Sequence, residues 1–118
     1  MLSIMGTTKV YLACGSTDMR RSIDGLAAIV QQSFSLDPFS SCLFVFCNKR
    51  RDKIKILQWE HNGFWLYYKR LEKGRFQWPK ENNLQTITVS LRELNWLLDG
   101  LSLEQKQAHK KVTANAVI

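Results

Sequence analysis

The chain has 118 residues, of which 45% are hydrophobic and 23% are charged, and its formal net charge is +7. This length suits one domain with a modest hydrophobic core, and the composition argues against a disordered chain. No apolar run approaches the roughly 20 residues that cross a bilayer, so we expect no membrane partner. Residues 1–6 lack a basic segment followed by a long apolar run. We therefore expect no signal peptide and a cytoplasmic protein.

The first third of the chain predicts a strand and then a helix. Residues 9–14 are typical of a short strand, which a cluster of turn-forming residues at 15–18 ends. Ser22 suits the N-cap of the following helix, and Asp24 suits its first turn. The helix would bury one apolar stripe, composed of Ile23, Leu26, Ala27, Val30 and Phe34. The pair Asp37-Pro38 ends any continuation of this helix.

The middle of the chain predicts extended structure. Residues 42–47 form an uninterrupted apolar run, which indicates a strand buried on both faces in the centre of a sheet. Residues 53–59 and 64–70 predict two further strands around Asn62-Gly63, the strongest short signal for a hairpin. A last strand in this region is expected at residues 75–78, closed by Pro79.

The final third predicts a strand, a helix and a polar tail. Residues 84–89 alternate as a strand does, and Ser90 with Glu93 fits a capping box at the start of a helix. The apolar stripe of this helix would be Leu91, Leu94, Leu97, Leu98 and Leu101, with Gly100 near its C-terminus. The sequence thus predicts one α+β domain over residues 1–101, with a mostly antiparallel sheet of five to six strands, one helix near the N-terminus and one near the C-terminus. Residues 102–118 are expected to be a frayed helix or a disordered tail.

The positive charge of the chain is concentrated in residues 49–80. This stretch holds ten basic and three acidic side chains, a net charge of +7, which equals that of the whole chain. The same stretch carries seven aromatic residues. Cations that contact phosphates and rings that stack on bases are the two components of a nucleic-acid surface. We therefore expect this stretch to bind nucleic acid, although an acidic protein or an anionic membrane would also suit a basic patch.

The predicted hairpin gives this surface a geometry. If Asn62-Gly63 are the central residues of a type I′ turn, Lys55 lies directly opposite Arg70. Like charges in that position repel, and a bound phosphate would relieve the repulsion. The candidate nucleic-acid-binding residues, including those of the turns, are Arg50, Arg51, Lys53, Lys55, Trp59, Tyr68, Lys69, Arg70, Lys73 and Arg75. The opposing interpretation is structural, because strand aromatics are usually core and lysines on outer strands commonly prevent aggregation.

The sequence offers no set of residues for catalysis, metal binding or a cofactor. Asp18, Asp24 and Asp37 are the nearest to a cluster of carboxylates for a two-metal nuclease, but Asp24 suits a helix start and Asp37 a turn. The three cysteines are widely spaced and odd in number, which favours reduced thiols over disulfides or a zinc site.

Three blocks of the chain resemble one known family in their order and composition. They are VYLACGSTDMRRSIDGL at residues 10–26, DPFS with LFVF at residues 37–46, and YKRLEKGRFQWP at residues 68–79. Together they resemble the TnpB accessory proteins of the sixty-six class of bacterial insertion sequences, over about residues 9–101. They do not resemble the much longer RNA-guided nuclease that shares the name.

The resemblance implies a non-catalytic factor that assists transposition beside a separate transposase. We expect such a factor to bind DNA, in particular the transposon ends, through the basic aromatic strands. An alternative is an adaptor that docks on the transposase or other proteins of the same element without contacting DNA. A small metal-dependent nuclease is a weaker alternative.

Overall fold

The structure, a computed structural model, describes residues 9–80 and 83–104. Its elements in chain order are β1 (Val10–Ala13), α1 (Ile23–Ala28), which continues into a π-helical turn (Ile29–Ser33), β2 (Leu43–Cys47), β3 (Lys53–Glu60), β4 (Gly63–Arg70), β5 (Thr86–Val89) and α2 (Leu91–Leu98). The five strands form one sheet in the order β4-β3-β2-β1-β5. Three of the four neighbouring pairs are antiparallel, and β1 and β2 are parallel. The predicted α+β class and strand number are confirmed.

Both faces of the sheet are covered. On one face Leu26 and Val30 of the first helical segment pack against Phe44, Phe46 and Leu57. On the other face a larger cluster joins α2 to the sheet, through Val10, Leu12, Leu43, Val45, Ile54, Ile56, Leu94 and Leu97. All five residues of β2 are buried, as its continuous apolar run predicted, because this strand has a neighbour on each side and a packed layer on each face. In the described part of the chain, neither helix has the length and apolarity that crossing a bilayer requires.

Both ends of α2 follow the sequence closely. The Glu93 backbone N–H donates to the Ser90 hydroxyl at 3.1 Å, and the Glu93 carboxylate accepts from the Ser90 N–H at 2.8 Å, which completes the capping box. Gly100 has a φ of 83°, a left-handed conformation that ends the helix at low cost. Leu101 lies past this turn and is 44% exposed, so its assignment to the apolar stripe was wrong. Residues 105–118, most of the predicted tail, lie outside the described residues.

The register of the hairpin differs from the predicted one by two residues. Glu60 pairs with Gly63, so the central residues of the turn are His61 and Asn62 instead of Asn62 and Gly63. His61 has a left-handed φ of 57°. Lys55 therefore lies opposite Tyr68, and Lys53 lies opposite Arg70. A shift of two residues leaves every side chain on its predicted face, because side chains alternate with a period of two.

Residues 75–78 do not form the predicted strand. Phe76 and Trp78 are buried, as a strand pattern requires, but each hydrogen bond of this segment reaches a different neighbour. The Phe76 N–H donates to the Arg51 carbonyl at 2.7 Å, and the Trp78 indole N–H donates to the Ala13 carbonyl at 2.9 Å. The segment therefore crosses the ends of the central strands instead of running alongside one of them. Alternating apolar residues indicate which side chains are buried. Here Phe76 and Trp78 are buried although the segment forms no ladder of backbone hydrogen bonds with a neighbouring strand.

Candidate nucleic-acid interface

A groove of about 870 Å³ lies where β1 and β2 end. Because these two strands are parallel, the loops that leave their carboxyl ends meet at the same edge of the sheet. The groove is lined by Ser16, Thr17, Asp18, Met19 and Arg20 of the β1–α1 loop, by Asn48, Lys49 and Arg50 of the β2–β3 turn, and by Lys53, Lys55 and Tyr68 of the hairpin. Its walls therefore come from three separate parts of the chain.

The lining of the groove is strongly cationic. It contains five basic side chains and the single carboxylate of Asp18. That carboxylate is already paired, since the Arg20 guanidinium donates to both of its oxygens at 2.8–3.1 Å. These hydrogen bonds lower the pKa of Asp18 to about 2, so it stays ionised at any physiological pH. The groove thus keeps a net positive charge, which favours anionic ligands.

The β2–β3 turn is built to present two cations. The Asn48 side chain accepts hydrogen bonds from the backbone N–H groups of Asp52 and Lys53, both at 3.0 Å, and donates to the Asp52 carboxylate at 2.6 Å. That last hydrogen bond is the main cause of a lowered pKa at Asp52. The side chains of Lys49 and Arg50 remain exposed at the tip of this closed turn.

Arg51, a predicted DNA contact, has a structural role in this turn. Its backbone is in the left-handed region with a φ of 62°, where a residue other than glycine is uncommon. Its guanidinium donates to the Trp78 carbonyl at 2.8 Å, and its own carbonyl accepts from the Phe76 N–H. Arg51 therefore fastens the turn to the segment that crosses the strand ends.

Lys55 also combines a position in the groove with a structural role. Its ammonium donates to the carbonyls of Met19 and Arg21 at 2.7 and 2.8 Å, which ties β3 to the loop before α1. The same ammonium lies 5.9 Å from the centre of the Tyr68 ring, its partner across the strands. Tyr68 is 54% exposed and lines the groove. The interaction between Lys55 and Arg70 that the sequence predicted is replaced by this contact.

A pair of like charges does lie across the strands on this face, but it is formed by Lys53 and Arg70 and not by Lys55 and Arg70. Lys53 lies directly opposite Arg70, and the Arg70 guanidinium donates to the Glu72 carboxylate at 2.6 Å. Both partners of this ion pair are well exposed, so it contributes little to stability. It does reduce the repulsion between the two cations, and Lys53 is left to face the groove.

Of the ten predicted site residues, the groove brings together four: Arg50, Lys53, Lys55 and Tyr68. Trp59 lies near the hairpin turn and packs edge-on against Phe39 and Phe64, with ring centres 5.1 and 5.0 Å away. Lys69 points to the opposite face, where its ammonium donates to the Leu98 carbonyl at the C-terminus of α2 at 2.7 Å. Lys73 and Arg75 are exposed in the loop after β4 and do not line the groove.

Sequence reasoning missed the loop between β1 and α1. Arg20 lies about thirty positions before the basic stretch, so a search for local charge density passed over it. The available signal was a turn-rich cluster at residues 15–18 followed by two arginines, directly after a strand. A turn that follows a parallel strand commonly carries ligand-binding groups.

The carboxylates considered for a nuclease serve local structure. Asp18 pairs with Arg20, Asp24 lies in the first turn of α1, and the Asp37 carboxylate accepts from the Phe39 N–H at 2.9 Å. Within residues 9–80 and 83–104, no three His, Cys, Asp or Glu side chains are grouped so that they could hold a metal ion. Cys14, Cys42 and Cys47 are present as thiols.

Comparison with known proteins places this chain in a family. The sequence profile of the IS66 Orf2-like proteins matches residues 8–108, which is most of the chain. This chain belongs to the IS66 Orf2-like family. Members of that family are accessory proteins associated with transposition, so the resemblance seen in the three sequence blocks is confirmed.

Two relatives of this IS66 Orf2-like protein come from Sinorhizobium fredii (strain NBRC 101917 / NGR234). The "Uncharacterized protein y4hO" is 35% identical over 107 residues, which cover 91% of this chain and 92% of the relative. The "Uncharacterized protein y4jC" is 32% identical over 93 residues, which cover 79% of each chain. No solved structure matches this chain.

Proposed function

We propose that this IS66 Orf2-like protein is a non-catalytic accessory factor that binds the nucleic acid of its element, in particular DNA at the transposon ends, in the basic groove. The observation that carries the proposal is the convergence of five cations from three segments on one open groove that contains a single, already paired carboxylate. A surface of this kind attracts nucleic acid of any base sequence, because the attraction is between cations and phosphates.

Three of these cations are available to a ligand. Among the residues that the structure describes, Lys49, Arg50 and Lys53 make no side-chain hydrogen bond or ion pair. Phosphates that bind them would displace solvent and counterions, while no internal contact of the protein has to break. Arg51, Lys55 and Lys69, in contrast, already donate to backbone carbonyls. We therefore assign phosphate contacts first to Lys49, Arg50 and Lys53.

The test is a titration of labelled DNA from the element's ends, as duplex and as single strand, across salt concentrations. The double variant R50A/K53A should weaken binding and reduce the slope of log K against log salt, by roughly 1.8 for duplex and 1.4 for a single strand. The matched control K73A/R75A also removes one lysine and one arginine, but from the exposed loop outside the groove. It should leave the slope nearly unchanged.

Two results would contradict the proposal. If both double variants reduce the slope equally, binding reports net charge and the groove has no special role. If neither variant changes the slope, the phosphates lie elsewhere.

An adaptor that docks on the transposase is the second candidate, because exposed aromatic residues lie near the other end of the hairpin. Phe39 is 56% exposed beside Trp59, and Trp65 on the other face of β4 is 53% exposed. Along the strands, Trp65 lies about 10 Å from Tyr68 of the groove and Trp59 about 13 Å from Lys55. Co-purification with the element's transposase that F39A/W65A abolishes, and R50A/K53A does not, would favour this function.

A further inference from the structure

We propose that the groove accepts a single-stranded segment of nucleic acid and that an unpaired base stacks on Tyr68. This inference rests on the proposed function and narrows it, because it distinguishes a single strand from a duplex as the ligand. It depends on the setting of the Tyr68 ring, on the shape of the groove and on the elements that line it.

Tyr68 is an unusual aromatic residue for this protein. In the described part of the chain, the other rings of the hairpin pack against aromatic neighbours, Trp59 with Phe64 and Trp65 with Tyr67, whereas the Tyr68 ring packs against no other ring. More than half of its side chain is exposed, although it lies among the cations of the groove. The Lys55 ammonium lies over the ring, 5.9 Å from its centre. A flat ring beside cations is the arrangement with which proteins hold single strands, because phosphates and bases are bound together.

A base within a duplex cannot use such a ring. Each paired base is stacked on both faces by its neighbours, so an aromatic side chain can stack only on a base that is unpaired or at an end. The register of the hairpin determines which cations lie beside the Tyr68 ring. It places Tyr68 across from Lys55 and two positions from Arg70, whose partner Lys53 lines the groove. Base stacking and phosphate binding would therefore occur side by side.

The size and the lining of the groove also favour a single strand over a duplex. The groove is open to solvent, and its volume of about 870 Å³ is in the range that holds ligands of one to a few nucleotides. Its lining comes from two loops and two strands, with no residue of α1 or α2. A duplex reader commonly inserts a helix or a protruding strand pair into the major groove, whereas here neither described helix lines the groove and β3 and β4 belong to the five-stranded sheet.

The experiment measures affinity by fluorescence anisotropy for three labelled probes of the same sequence and phosphate number: single-stranded DNA, single-stranded RNA and a DNA hairpin duplex. We expect the better of the two single strands to bind about tenfold or more tightly than the duplex at the same salt. Y68F should retain this affinity within about twofold, and Y68A should lose about tenfold for single strands only. Y68T repeats the test with a residue that strands favour, in case alanine perturbs the fold.

W65A is the matched control. Trp65 is an equally exposed aromatic residue of the same strand, but it lies on the opposite face. Its removal should leave single-strand affinity within about twofold of the wild-type value. A probe with 2-aminopurine in place of one adenine adds a direct readout, since stacking on Tyr68 should quench its fluorescence and Y68A should remove the quenching.

The outcomes separate this inference from the proposed function. Tighter DNA or tighter RNA binding both support a single strand and identify its chemistry. A duplex that binds as well as either single strand, or equal effects of Y68A and W65A, would overturn the inference. If R50A/K53A still weakens duplex binding in that case, the proposed function survives alone. If none of the probes binds, both proposals fall.

Discussion

Replacing Lys55 should reduce the stability of the protein as well as any binding in the groove. The ammonium of this residue joins β3 to two carbonyls of the loop that precedes α1, at 2.7 and 2.8 Å. Hydrogen bonds from a charged donor contribute about 1.5–3 kcal/mol each. Two such bonds would total about 3 kcal/mol at the low end of this range; Lys55 is only half-buried and water can solvate the released carbonyls, so we discount that sum and expect K55A to cost about 2 kcal/mol.

The assay is urea unfolding, followed by tryptophan fluorescence, to which the buried Trp78 contributes, and by circular dichroism. With a slope of about 1.5 kcal/mol per molar urea, a loss of about 2 kcal/mol lowers the midpoint by about 1.3 M. The melting temperature should fall by roughly 8–16 °C. K55M, which keeps the apolar stem and removes the ammonium, should lose nearly as much.

K53A is the matched control for this prediction, since Lys53 lies on the same strand and face. Within the described residues its ammonium makes no hydrogen bond, so its removal should change stability by less than about 0.5 kcal/mol. If K55A and K55M unfold at the same urea concentration as K53A, the two carbonyl contacts do not stabilise the loop, and the structural role assigned to Lys55 is wrong.

Three further predictions concern other parts of the molecule. The carboxyl carbon of Asp18 should titrate in NMR with a pKa of about 2, and R20Q should raise this pKa toward its ordinary range, while the backbone N–H of residue 20 still lowers it; the stabilisation from this pair is present above about pH 4 and is lost as the pH falls toward 2. An unchanged titration in R20Q would refute the assignment. Burial raises the pKa of Cys47 to about 12, so this thiol should resist alkylation at pH 8 until the protein unfolds, which mass spectrometry can follow. S90A should lower the free energy of unfolding by about 1 kcal/mol through loss of the capping box, and S90D should largely restore it; equal urea midpoints for S90A and wild type would count against the cap.

The sequence by itself determined the elements whose signals are local. The apolar run of β2 requires two covered faces, and the capping box at Ser90 satisfies N–H groups within one turn of chain, so neither needs a distant partner to be recognised. The resemblance to the family rested on three local sequence blocks, and the profile match confirms it. The assignment of residues 1–101 to one domain, and the cytoplasmic location, stay predictions.

The tertiary structure alone decided which cations share a surface. Arg20 joins the groove because β1 and β2 are parallel neighbours, and Lys55 is bound to carbonyls that lie 34 and 36 positions away in the chain. Such contacts depend on strand order and register. The turn at His61-Asn62 sets the register of the hairpin, and the sequence predicted this turn one residue too late, at Asn62-Gly63. Charge composition fixes how many cations the chain holds, whereas the geometry of packing fixes which of them remain available to a ligand. For that physical reason the sequence predicted the basic character of the protein but did not predict its groove.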